Sequence, residues 1–160
     1  PLRSIERLAK RHGEVALIGA GIVMTPEDVI DVRDAGGQLI VTPHCDADTI
    51  EEATAEGLTC IAGCATPTEG FEALTAGANA LNLFPAQAMP PAIVAAWREI
   101  FPAETRLLVT GGVAESNLPQ YMAAGAAGAG VATALYAPGR SPAELAERAR
   151  RLRTLVPATG

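Results

Sequence analysis

Two glycine-rich stretches carry residue types suited to holding an anion. Gly111-Gly112 directly follows the apolar run 107–110, and Gly128-Ala129-Gly130 leads through Ala132 to Thr133. Adjacent glycines let a backbone approach a ligand closely with bare N–H groups facing it. Thr133 adds a hydroxyl and is placed to open a short helix. The first turn of such a helix aims unpaired N–H groups and a partial positive charge at an anion. Phosphate is the ligand that this chemistry suits. The same glycines would also serve tight turns and small interior packing.

A second group of residues invites metal or nucleophile chemistry. His44 and Cys45 close one apolar run, Cys60 lies in the next, and Cys64 follows just beyond its end. Zinc would require such ligands in a tetrahedral array. Cys60, however, falls inside an expected strand, where a thiol is a small apolar side chain. Cys64 as a nucleophile needs a base near it, and His44 serves only if the loops converge. His44 could instead contact a substrate at the mouth of a barrel. Gly19-Ala20-Gly21 shares two glycines with a dinucleotide loop, but the third is absent and no acid ends the next run. Arg148, Arg150, Arg151 and Arg153 read as a solvated helix face with cations towards its C-terminus.

These residues must be positioned by something, and the chain has a regular means of doing so. Short apolar runs at 15–19, 39–42, 58–62, 80–84, 107–110 and 127–132 each precede an amphipathic stretch. Runs this short and continuously apolar read as parallel strands buried on both faces. Thr25-Pro26-Glu27-Asp28, Thr66-Pro67-Thr68-Glu69 and Ser141-Pro142-Ala143-Glu144 each offer a cap, a proline at the first helical position and a carboxylate in the first turn. Glu144 also completes a capping box. Gly36-Gly37, Gly57, Gly77 and Gly125 mark helix ends. Residues 2–12 read as a helix ahead of the first strand, closed by Gly13.

The expectation is an α/β fold of six βα units after an N-terminal helix. Such a fold is either an open doubly wound sheet or an incomplete (β/α)8 barrel. In both, ligands sit at the carboxyl ends of the strands. Two anion loops after the last two strands match the phosphate site common in barrels.

Composition narrows the partners. The chain has 160 residues, 49% hydrophobic and 19% charged, which suits one domain with a sizeable core. Aromatic residues make up only 4%, so that core must be Ala, Val, Leu and Ile. A net charge of -6 argues against nucleic acid, because no basic patch is present to neutralise phosphates. No apolar run is long enough to span a bilayer, and no signal peptide is visible. Three cysteines without scaffold spacing fit a reducing compartment, and the expected location is cytoplasmic.

The strand ends, read together, carry a resemblance. Ile18-Gly-Ala-Gly, Ile40-Val-Thr-Pro43, Gly63-Cys-Ala-Thr-Pro-Thr-Glu69, Leu83-Phe-Pro-Ala86, Thr110-Gly-Gly-Val113 and Ala127-Gly-Ala-Gly130 through Leu135-Tyr136 occur in order. In this order and spacing the chain resembles the bacterial 2-keto-3-deoxy-6-phosphogluconate and 2-keto-3-deoxy-6-phosphogalactonate aldolases, nearer the galactonate branch. The resemblance implies a (β/α)8 TIM barrel, here a single partial domain over residues 1–160 that lacks the first two strands. It implies a homotrimer and a class I lyase that works with neither cofactor nor metal. The substrate would be a phosphorylated keto acid, cleaved to pyruvate and glyceraldehyde 3-phosphate.

Carried onto this sequence, the family's site falls on a small set of positions. Ile22, Pro43, Phe84 and Pro85 would line the substrate, and Gly111, Gly112, Gly130, Ala132 and Thr133 the phosphate. The family's lysine, which forms a Schiff base with the C2 carbonyl so that the C3–C4 bond can break, falls on Asn82. An amide nitrogen is no nucleophile, and Lys10, the only lysine, lies in the N-terminal helix. Ile22 stands where the family has a Thr on the pyruvate carboxylate. Thr133 replaces a Ser and Ala132 a frequent Gly. The family's acid/base Glu and a carboxylate-binding Arg would lie on the two strands expected to be absent. Three readings follow: an aldolase inactive as written, a non-catalytic relative that binds a phosphorylated sugar acid, or a structural piece of a trimeric barrel.

Overall fold

Proline-led caps and glycine stops divide the chain into regular βα units. A computed structural model describes residues 1–157. The chain divides into two compact units, Pro1–Asn82 and Leu83–Gly160.

The first unit runs α1 (Leu2–His12), β1 (Gly19–Gly21), α2 (Pro26–Asp34), β2 (Leu39–Val41), α3 (Ala47–Ala55), β3 (Thr59–Cys64), α4 (Pro67–Thr75) and β4 (Ala80–Leu83), the last strand crossing the division. The strands lie side by side in chain order without reversal. The pairing is parallel, with Ala20 opposite Ile40 and Ile40 opposite Cys60. Neighbours in chain order are what a barrel requires, whereas a doubly wound sheet reverses direction. Val29, Ile40, Ile50, Ala53, Cys60 and Leu81 are wholly buried and form this unit's core.

The second unit holds α5 (Pro91–Ile100), β5 (Leu107–Thr110), α6 (Leu118–Ala123), β6 (Gly128–Gly130) and α7 (Pro142–Thr154). β5 and β6 pair in parallel with Val109 opposite Ala129. Val94, Leu107, Val109 and Leu118 pack inside, and the Trp97 ring lies 5.3 Å from that of Phe101.

The expected caps form. Thr25 accepts a hydrogen bond from the Asp28 amide, and capping boxes close at Thr66 with Glu69 and at Ser141 with Glu144. Gly36, Gly57, Gly77 and Gly125 all take positive φ just past a helix.

Two expectations need correction. The first strand is not at 15–19 but at Gly19–Gly21. Val15 and Ala16 donate back to the His12 carbonyl, so this segment still belongs to the turn closing α1, and Val15 and Leu17 are exposed. A Cβ on Gly19 would lie 1.8 Å from the Leu39 carbonyl oxygen, so the strand pairs where side chains are smallest. Thr133 does not open a short helix either. Residues 133–135 form a single turn, in which the Leu135 and Tyr136 amides both return to the Ala132 carbonyl.

Candidate functional site

In the first unit the site residues gather around Thr42, at the end of β2. Its backbone amide donates to Ile61 O, and its hydroxyl makes two further bonds. Thr42 Oγ1 donates to His44 O at 2.7 Å and accepts from the Gly63 amide at 2.9 Å. Gly63 is required there, because a Cβ would fall 2.2 Å from the Pro43 carbonyl carbon. Pro43 is thereby held, half-buried, against β3.

Asn82 lies on the neighbouring strand. β4 is buried at all four positions, and Asn82, 2% exposed, is its one polar residue. A buried amide needs partners. Asn82 Nδ2 donates to Thr42 O at 3.2 Å, and the Cys64 thiol faces Asn82 O at 3.9 Å. Ile22, just past β1, is 68% exposed and offers no hydrogen bond. His44 is exposed, and the side chains of His44, Cys45 and Cys60 enter none of these hydrogen bonds to Thr42 and Asn82.

The cysteines are ill-suited to nucleophilic work. Burial pushes the Cys64 thiol up to about 12, with the Glu69 carboxylate adding to the effect. Burial raises Cys60 to about 11. Cys45 is also raised, first by burial and then by Glu72. Thiols that stay protonated near neutral pH are poor nucleophiles and poor metal ligands. Glu69 itself is held below the usual carboxylate range by the Ala65 amide and then the Thr66 hydroxyl. Asp46, the cap of α3, is lowered chiefly by the Thr49 hydroxyl.

In the second unit, Phe84 is half-buried and Pro85 exposed beyond β4. Gly111 and Gly112 follow β5 with φ of 91° and 74°. Two successive residues in this region are readily accessible only to glycine. A Cβ on Gly112 would come within 2.5 Å of Gln87, and one on Gly111 within 3.2 Å of Phe84 and Pro85. The loop is therefore pressed against the segment carrying Phe84, Pro85 and Gln87. Asn117 braces its far side: Nδ2 donates to Gly112 O at 3.0 Å, and Oδ1 accepts from the Ala114 amide at 2.9 Å. Among the described residues no carbonyl accepts from the Gly111 or Gly112 amide.

Gly130 ends β6 with its Cα over Thr110, where a Cβ would meet Thr110 Cγ2 at 2.4 Å. Ala132 and Thr133 follow, both exposed. The unit thus brings the Gly111-Gly112 loop and the 131–134 loop to the ends of the adjacent strands β5 and β6.

Sequence reasoning passed over Asn117 and Gln87, and took Thr42 only as part of the Ile40-Val-Thr-Pro43 segment. Asn117, just before Leu118-Pro119, carries a turn signal that could have been read. The bonds of Thr42 to Gly63 and Asn82 have no local signal, since those partners lie on other strands.

Comparisons with known proteins bear on the family and the fold. The family model for KDPG and KHG aldolase matches residues 2–142. The 2-dehydro-3-deoxy-6-phosphogalactonate aldolase of Escherichia coli (strain K12) is 42% identical over 147 residues, covering 92% of this chain and 72% of that protein. A solved structure described as native KDPGal superposes with a TM-score of 0.92 at 41% identity, over 95% of this chain and 74% of the other. A cube-shaped, porous cage designed by fusing symmetric oligomeric domains superposes at 0.91 with 41% identity, over 95% of this chain and 56% of the cage chain. The six βα units therefore belong to the barrel class rather than the doubly wound one.

Proposed function

Because the chain belongs to the KDPG and KHG aldolase family, we propose that it binds a phosphorylated 2-keto-3-deoxy sugar acid, of the phosphogalactonate type, without forming the family's imine. The observation that carries this reading is Asn82. The family resemblance puts the lysine position here; the Asn82 side chain is buried and directs its amide nitrogen at Thr42 O. The nitrogen lone pair is delocalised into the carbonyl and cannot attack a ketone. Lys10 is no substitute: it sits on α1, 74% exposed, paired with Glu6 at 2.7 Å.

Cleavage of the C3–C4 bond leaves electrons on C3, which an iminium at C2 would accept. A neutral ketone accepts them far less well, and loss of an essential covalent step costs many powers of ten at about 1.4 kcal/mol each. The phosphate half needs no such side chain. Backbone amides at Gly111, Gly112 and the Ala132–Thr133 turn supply it, and Gly130 keeps the approach open.

Active lyase function is the second reading, favoured by the intact Leu83-Phe84-Pro85 and Gly111-Gly112 segments. Borohydride reduction with pyruvate, followed by intact mass, separates the two. The expected result is an unmodified chain. A stable pyruvyl adduct would overturn the proposal, and peptide mapping would identify the amine.

We further propose that the chain self-associates as a homotrimer, in keeping with the family resemblance and the oligomeric cage domain. Sedimentation equilibrium at micromolar concentration should then give three times the chain mass. A monomer across that range would remove this part of the reading.

A further inference from the structure

Helix α1 carries a stripe of positive charge on a chain whose net charge is -6. Arg3, Arg7 and Arg11 recur at every fourth residue, so they line one side of the helix, and all three are exposed. Lys10 is neutralised by Glu6 at 2.7 Å, but among the described residues these three arginines enter no ion pair. Like charges four residues apart repel, so the stripe is unfavourable to the helix on its own. Leu8, 48% exposed, lines the same surface depression as Arg7 and Arg11. This face therefore presents an apolar side chain beside two cations.

The same unit carries a counterpart. No Lys or Arg occurs between Arg33 and Arg98. A groove between α3 and α4 is lined by Ala47, Glu51, Phe71, Glu72 and Ala76. The alanines leave room in it, and Phe71, 45% exposed, supplies an apolar wall. Glu51 and Glu72 are exposed and pair with no cation among the described residues. Within the unit α1 packs on α2, α2 on α3 and α3 on α4. Stripe and groove thus lie at opposite ends of one row of helices, and α1 cannot enter its own groove.

We propose that α1 of one copy docks into the α3–α4 groove of a second copy, with Leu8 against Phe71 and with Arg7 and Arg11 facing Glu51 and Glu72. Charge complementarity selects a second copy as the occupant. The two faces differ, so the contact is heterologous: each copy gives its stripe to one neighbour and its groove to another. Contacts of this kind close into a ring where the rotation allows. The inference rests on the proposed homotrimer and names the surfaces that join it. Exposed charge pairs add little affinity singly, but they fix partner and register.

The test is sedimentation equilibrium of the full chain in four forms. They are wild type, the Arg7→Glu, Arg11→Glu double variant, the Glu51→Arg, Glu72→Arg double variant, and the quadruple variant combining all four changes. Each double variant should need roughly tenfold or more protein to assemble, because attraction has become repulsion. The quadruple variant should return to within about threefold of wild type, since opposite charges face each other again. Raising salt from about 0.05 M to about 0.5 M should weaken wild-type assembly. Circular dichroism spectra matching wild type show that the variants remain folded, and recovery in the quadruple variant excludes misfolding as the cause. A double variant that assembles as wild type does would overturn the inference and leave the trimer standing. That result together with α1-dependent binding to anionic phospholipid vesicles would assign the stripe to a membrane surface instead. A quadruple variant that fails to recover would also overturn it, since opposite charge would not be what joins the faces. A wild-type chain that stays monomeric would overturn the trimer and the inference together.

Discussion

Residue 82 is the one polar position on a fully buried strand, and the proposed loss of the imine turns on it. Asn satisfies that environment by giving its amide hydrogen to Thr42 O. Lysine there would be pushed below its ordinary pKa of about 10.4 by burial, leaving a usable fraction as free amine. Asn82→Lys is therefore expected to yield a borohydride-stable pyruvate adduct at residue 82, where wild type yields none. Burying the longer, ionisable side chain should cost about 1–3 kcal/mol in urea unfolding. If Asn82→Lys folds and still gives no adduct, β4 does not carry the imine position and the assignment of the site fails.

At the scale of elements, the positioning depends on how closely strands approach. Gly63 lies against the Pro43–His44 peptide, and a Cβ there meets backbone atoms at 2.2–2.6 Å that cannot step aside. Gly57 differs: its φ is 69°, but nothing lies within 4 Å of an added Cβ. Gly57→Ala should cost about 1 kcal/mol, the ordinary penalty of a left-handed residue. Gly63→Ala should cost roughly 3 kcal/mol or more, because β2 and β3 must separate at Thr42. Paired urea denaturation curves measure both. Equal costs would mean that the close approach of Gly63 to Pro43 contributes nothing.

For the molecule as a whole, the two buried thiols set an alkaline limit. Cys60 and Cys64 titrate at about 11 and about 12 in the folded chain, against about 8.5 when unfolded. Below about pH 8.5 both states hold the protons, and the thiols favour neither. Above it the unfolded chain releases them first and binds fewer protons than the folded one, so stability falls as pH rises towards the folded values. Each thiol contributes a slope of up to about 1.4 kcal/mol per pH unit. Thermal unfolding between pH 8 and 10.5 should thus show a steeper loss in wild type than in the Cys60→Ala, Cys64→Ala double variant. Parallel slopes would show that these thiols are not protected from ionisation.

The sequence by itself determined the βα repeat, the helix starts and the glycine stops. A cap such as Thr66 with Glu69 is a contact over three residues, complete within its own segment. It also determined the chemical question, since one lysine in a helix and an asparagine before Leu83-Phe84-Pro85 are matters of residue identity. The Gly111-Gly112 loop was legible because two adjacent positive φ angles leave little choice but glycine. Tertiary structure decided the rest. Apolarity alone put the first strand at 15–19, but pairing with Leu39–Val41 selected Gly19–Gly21, where the backbones can meet. Local pattern opened a helix at Thr133, where the chain instead makes a single turn whose carbonyls at 133–135 accept from Arg140 Nη1. The partnership of Asn82 with Thr42 spans forty residues. Such contacts are written in no local pattern, because what brings their atoms together is the lateral pairing of strands and not the chemistry of either segment.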